Sequence, residues 1–173
     1  MLTLYHGTDI FSAKDICDGN IDISKSSKRT DFGQGFYTTD DFERAAQWAY
    51  RKAILRRAHA AVVTVIFDDE SANSIIERFS DDLRWGRFIM NNRNGLSYIN
   101  QVSFKENNLD ARYAITYGRI ADIDIRKIAE KLNRSGKLLA SIEGILNEDY
   151  PIQIAFHTDE SLKYIVKTTY RSL

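Results

Sequence analysis

One histidine, one glycine and two aromatic residues in the first third of the chain have the types and spacing for a particular chemistry. Leu4-Tyr5-His6-Gly7-Thr8 lies near the start, Gly35-Phe36-Tyr37-Thr38-Thr39-Asp40 follows about thirty residues later, and Ala45-Ala46-Gln47-Trp48 comes next. The His6 imidazole can bond sugar hydroxyls, Gly7 lets backbone amides approach a carboxamide, and the Tyr37 and Trp48 rings can sandwich a flat cationic ring. Together these residues suit a cleft for nicotinamide and its ribose. A glycine-rich phosphate loop is absent from this reading. Gly33-Gln34-Gly35 leads into an expected strand and lacks the third glycine of the dinucleotide fingerprint.

The elements that must hold these residues follow from periodicity. Leu2, Leu4 and Tyr5 read as a strand running into a His6-Gly7-Thr8 turn, and Thr8 or Asp9 caps a short helix through Asp18. Residues 19–35 read as a loop and 36–38 as a strand. Asp40 with Glu43 makes a capping-box signature, and Phe42, Ala45, Ala46, Ala49 and Ala53 form an apolar stripe, so a helix is expected over 41–57. The β-branched run 61–67 reads as a buried strand and 71–91 as a helix that offers Trp85, Phe88 and Ile89 to a core. Residues 93–110 look irregular. Strands are expected over 111–117, 152–157 and 166–170, and helices over 124–132, 138–146 and 158–165. Mixed elements without a regular βαβ rhythm favour an α+β fold.

Composition sets the bounds. A chain of 173 residues, 43% hydrophobic and 28% charged, is long enough for one well-buried core and too short for two independent domains, so residues 1–173 read as one domain. Lys plus Arg and Asp plus Glu number 24 each, so the net field does not favour a bulk polyanion. Cys17 has no second cysteine to pair with and falls among Ile10, Ala13 and Ile16, where it reads as a small buried apolar side chain. That usage fits a reducing cytoplasm. An opening apolar strand without a basic leader, and no run of about 20 apolar residues, give the expectation of a cytoplasmic protein with no membrane span. His59 and His157 lack metal-ligand partners at suitable spacing, so no metal is expected.

These motifs resemble the diphtheria-toxin-like branch of the ADP-ribosyltransferase superfamily, and more closely a small bacterial family of uncharacterised domains assigned to it. The likeness covers most of the chain. It matches Tyr5-His6-Gly7-Thr8, Gly35-Phe36-Tyr37-Thr38-Thr39, and Trp48 eleven positions after Tyr37. It also matches Asp31-Phe32-Gly33-Gln34-Gly35, Trp85 with Asn92-Arg93, and Tyr113 with Gly118-Arg119-Ile120-Ala121-Asp122. The resemblance implies a split antiparallel β-sandwich with flanking helices around an NAD cleft. It implies that His6 meets the ribose, the Gly7 backbone the carboxamide, and Tyr37 and Trp48 the two ring faces, with Thr8 among the NAD-binding positions. It implies a mono-ADP-ribosyltransferase consuming NAD, plausible as the toxin of a toxin-antitoxin pair with a cognate antitoxin and a macromolecular acceptor. NAD hydrolysis and non-catalytic binding of NAD or ADP-ribose are the alternatives.

One position departs from the toxin pattern. The late strand where a glutamate usually meets the ribose reads Ile152-Gln153-Ile154-Ala155-Phe156, and the bacterial relatives often carry glutamine there too. Gln153 can bond a hydroxyl but holds no charge beside an oxocarbenium ion, so a glutamate in its place is expected to keep activity or shift it toward hydrolysis. Each residue also has a plainer role. His6 could be satisfied by backbone, Tyr37 and Trp48 could be core, and Arg93 could be structural instead of binding a phosphate.

Overall fold

The computed structural model describes residues 1–80, 82–94, 106–121 and 150–173. Seven strands are present among the described residues: β1 Leu2–Asp9, β2 Phe36–Thr39, β3 Ala60–Phe67, β4 Ile76–Arg78, β5 Ile115–Arg119, β6 Ile152–Phe156 and β7 Ile165–Ser172. Four helices are described: α1 Ile10–Cys17, α2 Phe42–Arg56, α3 Asp82–Asn94 and a one-turn α4 Asp159–Leu162. The fold is therefore α+β. The helices expected over 124–132 and 138–146 lie outside the described residues.

All seven strands join one sheet in the order β4-β5-β6-β2-β1-β3-β7, antiparallel except for the parallel β4/β5 pair. A sandwich of two separate sheets was expected, and the strands are instead continuous. The continuity is thin at one place. β1 is in register with β3 along all eight of its residues, but with β2 only at Tyr5↔Thr39. The sheet thus consists of two blocks, β4-β5-β6-β2 and β1-β3-β7, linked by a single pair.

β3 shows why a near-continuous apolar run was needed. Its residues alternate between two cores, as period-2 side chains must. Ala61, Val63, Val65 and Phe67 join Leu4, Phe36, Ile154 and Phe156 on one face, while Ala60 and Val62 meet the alanine stripe of α2 on the other. α1 adds Ala13 and Ile16 to the larger core, and Cys17 packs at its edge, half-buried where full burial is the expectation.

Several boundaries differ from the sequence expectation. The His6-Gly7-Thr8 segment is strand throughout, and Asp9 caps α1 by accepting from the Phe11 and Ser12 amides at 3.1 Å. Asp41, not Asp40, caps α2, accepting from Arg44 N at 3.0 Å, while Asp40 Oδ1 accepts from Ile152 N at 2.9 Å. The helix expected over 71–91 begins only at Asp82. Before it come a 3₁₀ turn at Asn73–Ile75 and edge strand β4, whose partner β5 is too distant in sequence for local periodicity to reveal. The strand expected over 111–117 is displaced to Ile115–Arg119, because Asn108 turns the preceding chain by bonding both the Tyr113 amide and its carbonyl.

Candidate functional site at the break between two strands

The orientation of β1 follows from its ladder. Beyond the end of the strand, the Ile10 amide donates to His59 O at 2.9 Å. Ile10 and His59 continue the register that sets Asp9 opposite Ala60, so the even-numbered residues of β1 turn their backbone groups toward β3. The odd-numbered ones, Gly7 included, turn theirs toward β2. Opposite Gly7 the β1/β2 register is not continued. Its N–H and C=O therefore face the break between the two blocks.

Gly7 is required here on its other side as well. A Cβ at this position would lie 1.8 Å from Ala45 O and 2.8 Å from Ala49 N, so α2 rests directly on the strand. The small side chains of Ala45, Ala46, Ala49 and Ala53 make the same close approach possible.

His6 spans the break. Its Nδ1 lies 2.6 Å from Tyr37 O, and a carbonyl can only accept, so Nδ1 carries the proton and Nε2 presents a lone pair. Burial and the neighbouring Lys52 ammonium hold the imidazole down to about 3, against the opposing pull of the Tyr37 carbonyl. The ring is thus neutral at neutral pH. Lys52 Nζ sits 3.5 Å from Nε2, at the outer limit of a hydrogen bond, and burial lowers its own pKa. Nothing in the sequence motifs singled out Lys52. The available signal was its place one turn after Trp48 on α2.

Tyr37 lies across the break on β2, partly buried. Its hydroxyl donates to Gly33 O at 2.6 Å, accepts from Phe32 N at 2.9 Å and lies 2.7 Å from Thr30 Oγ1. Gly33 itself has φ +88°, the left-handed conformation that a tight anchor of this kind demands. Burial pushes the phenol well above its ordinary value, so it stays protonated. The ring is stacked on Phe32 at 6.5 Å and meets His157 edge-on at 6.4 Å. Tyr37 is therefore a fixed ring, not a mobile one.

Trp48 is 49% exposed on α2, with the Arg51 guanidinium 5.1 Å from its ring centroid. Its spacing from Lys52 puts both on one flank of α2, the flank that reaches His6. Thr8 is buried within β1.

Gln153 occupies the row Tyr5↔Thr39↔Gln153↔Gly118 across β1, β2, β6 and β5. It shares a face with Tyr37 and Thr39, and it is buried there at 7% exposure. Nε2 donates to Asp31 Oδ2 at 3.0 Å and to Arg119 O at 3.3 Å. Arg93, the alternative phosphate ligand, is engaged by Asp31: its Nε donates to Asp31 Oδ1 at 2.5 Å. The plainer, structural role holds for Arg93. Glu160 sits in the first turn of α4 beside Lys163 at 2.6 Å, and Glu148 lies outside the described residues.

His157 is a second neutral imidazole. It takes the Thr116 hydroxyl at Nε2 (2.8 Å) and donates from Nδ1 to Gln34 O (2.7 Å); burial brings it down to about 4, with the Gln34 carbonyl opposing. Among the described residues no group of His, Cys, Asp and Glu is arranged to hold a metal ion, and no helix is long and apolar enough to cross a membrane.

The break in the ladder thus brings together Gly7 backbone groups, a neutral imidazole whose Nε2 faces Lys52 at 3.5 Å, and the Tyr37 carbonyl. No curated protein and no solved structure matches this chain. A family profile does match, described as "Protein of unknown function (DUF3990)", over residues 2–166. With nearly its whole length inside that match, the chain belongs to the DUF3990 family.

Proposed function

We propose that the protein is a mono-ADP-ribosyltransferase that takes NAD as donor substrate at the β1/β2 break. The observation that carries the reading is the interrupted ladder at Gly7. There a strand's donor and acceptor are turned toward a gap flanked by His6 and Tyr37. A carboxamide offers the complementary pair, an N–H₂ donor and a C=O acceptor, and can complete the missing rung as a peptide group would. The lone pair of His6 Nε2 suits a ribose hydroxyl that takes the place of Lys52, whose contact at 3.5 Å is long and weak. Tyr37 and Trp48 supply ring faces.

In this reading the protein's contribution is positioning. As the bond from the ribose C1′ to nicotinamide breaks, the ribose gains oxocarbenium character and nicotinamide leaves neutral. A held ribose then reacts with a placed acceptor before water. Neutral His6 accepts from the hydroxyl without adding positive charge beside the cation. A role as the toxin of a toxin-antitoxin pair, with an antitoxin as partner and a macromolecule as acceptor, is part of the same proposal.

The test is incubation of the protein with NAD labelled in the adenylate moiety in bacterial lysate, followed by separate protease and nuclease digestion. Transfer leaves label on a macromolecule that one digestion removes. Free ADP-ribose without macromolecular label identifies a hydrolase instead, and absence of nicotinamide release identifies a binding module; either result overturns the transferase.

A further inference from the structure

Three segments that the gap itself does not use meet at one side chain. Arg93 Nε from α3 donates to Asp31 Oδ1 at 2.5 Å, and its Nη2 contacts the same carboxylate and donates to Ala121 O at 3.2 Å. The Ala121 amide closes the set by donating to Asp31 Oδ2 at 3.3 Å, and Asn92 Nδ2 holds Asp31 O at 3.0 Å. Gln153 donates into this set, with Nε2 at 3.0 Å from Asp31 Oδ2 and 3.3 Å from Arg119 O. Both partners are acceptors: one is a carboxylate paired with a guanidinium, the other a peptide carbonyl. An amide turned the other way would set its oxygen against both of them, so the network admits one orientation. Nε2 then commits both hydrogens. Oε1, without a partner among the described residues, is what Gln153 has left to offer.

We infer that Asp31, held by Arg93, is a positioning residue that turns Gln153 so that its amide oxygen is presented as an acceptor to the nicotinamide ribose. The inference rests on the reading of the β1/β2 break as an NAD site. Gln153 thereby does the hydrogen-bonding work of a carboxylate, while the carboxylate stands one contact behind it. This reverses the sequence expectation for a glutamate at position 153. A Gln153→Glu side chain sets an acceptor oxygen against Asp31 Oδ2 and Arg119 O, the two acceptors to which the amide donates. Asp31→Asn returns one donor to the introduced carboxylate, restoring that contact alone, because the Ala121 amide then loses its acceptor and Arg119 O still lacks its donor.

The test measures nicotinamide release from NAD by the wild type, Asp31→Asn, Gln153→Glu and the double variant. It is paired with hydrogen exchange of the ¹⁵N-labelled Gln153 side-chain amide in the wild type and Asp31→Asn. Each single variant is expected to lose roughly ten- to a hundredfold in kcat with little change in KM, and the double variant to recover part of the loss seen in Gln153→Glu. The Gln153 amide protons should exchange slowly in the wild type and fast in Asp31→Asn. If Asp31→Asn does not fold, Gln153→Glu against the double variant carries the comparison. Full activity in Gln153→Glu, or a double variant no better than Gln153→Glu, overturns the positioning role. Absence of nicotinamide release from the wild type overturns the transferase and this positioning role together, while NAD binding at the break is read separately by titration.

Discussion

Gly7→Ala is expected to lose at least about 3 kcal/mol of stability, a large part of the roughly 5–15 kcal/mol that a domain of this kind has. The added Cβ would lie 1.8 Å from Ala45 O, and both atoms belong to the backbones of packed elements. A flexible side chain could swing aside; here α2 must lift off β1 and open the contacts of Ala49 and Ala53 with it. Urea denaturation followed by circular dichroism reads the effect as a lower midpoint or as loss of folded protein. An unchanged midpoint would mean that α2 does not rest on Gly7.

Arg93→Met is expected to cost about 2 to 4 kcal/mol, because it leaves the Asp31 carboxylate in a largely buried position without its guanidinium. The Arg93 side chain keeps 32% of its surface exposed, which places the effect below that of a fully buried pair. The loss should be present without any nucleotide. A denaturation series on Arg93→Met, Asp31→Asn and the double variant should show strong coupling between the two positions. Wild-type stability in Arg93→Met, with weakened NAD binding, would return Arg93 to the role of a phosphate ligand.

The fold was legible in the sequence wherever one element carried its own signal. The alanine stripe of α2, the apolar run of β3 and the Thr158 cap of α4 all lie where their patterns put them. Strand β4 was not legible, since a three-residue edge strand between a turn and a helix owes its existence to pairing with β5. The motif residues showed the same division. His6, Gly7 and Tyr37 could be selected by type and spacing, and they do meet across the break. Their reach toward each other depends on a register that stops after one pair, and register is written in two strands at once. Gln153 was selected by its strand, not by its surroundings. It lies under Asp31 because residues 31 and 93, distant from it in sequence, close over the sheet. Lys52 was missed because its partner, the Nε2 of His6, exists only once α2 has settled on β1.

The central claim is that the gap beside Gly7 takes the nicotinamide end of NAD. Calorimetric titration of NAD into the wild type, His6→Ala and Tyr37→Ala tests it most directly, with thermal melts confirming that each variant is folded. The account predicts a single site in the wild type and at least about tenfold weaker binding in both variants, the equivalent of one lost hydrogen bond or ring contact. Equal affinity in all three proteins, or no heat of binding in the wild type, would contradict it.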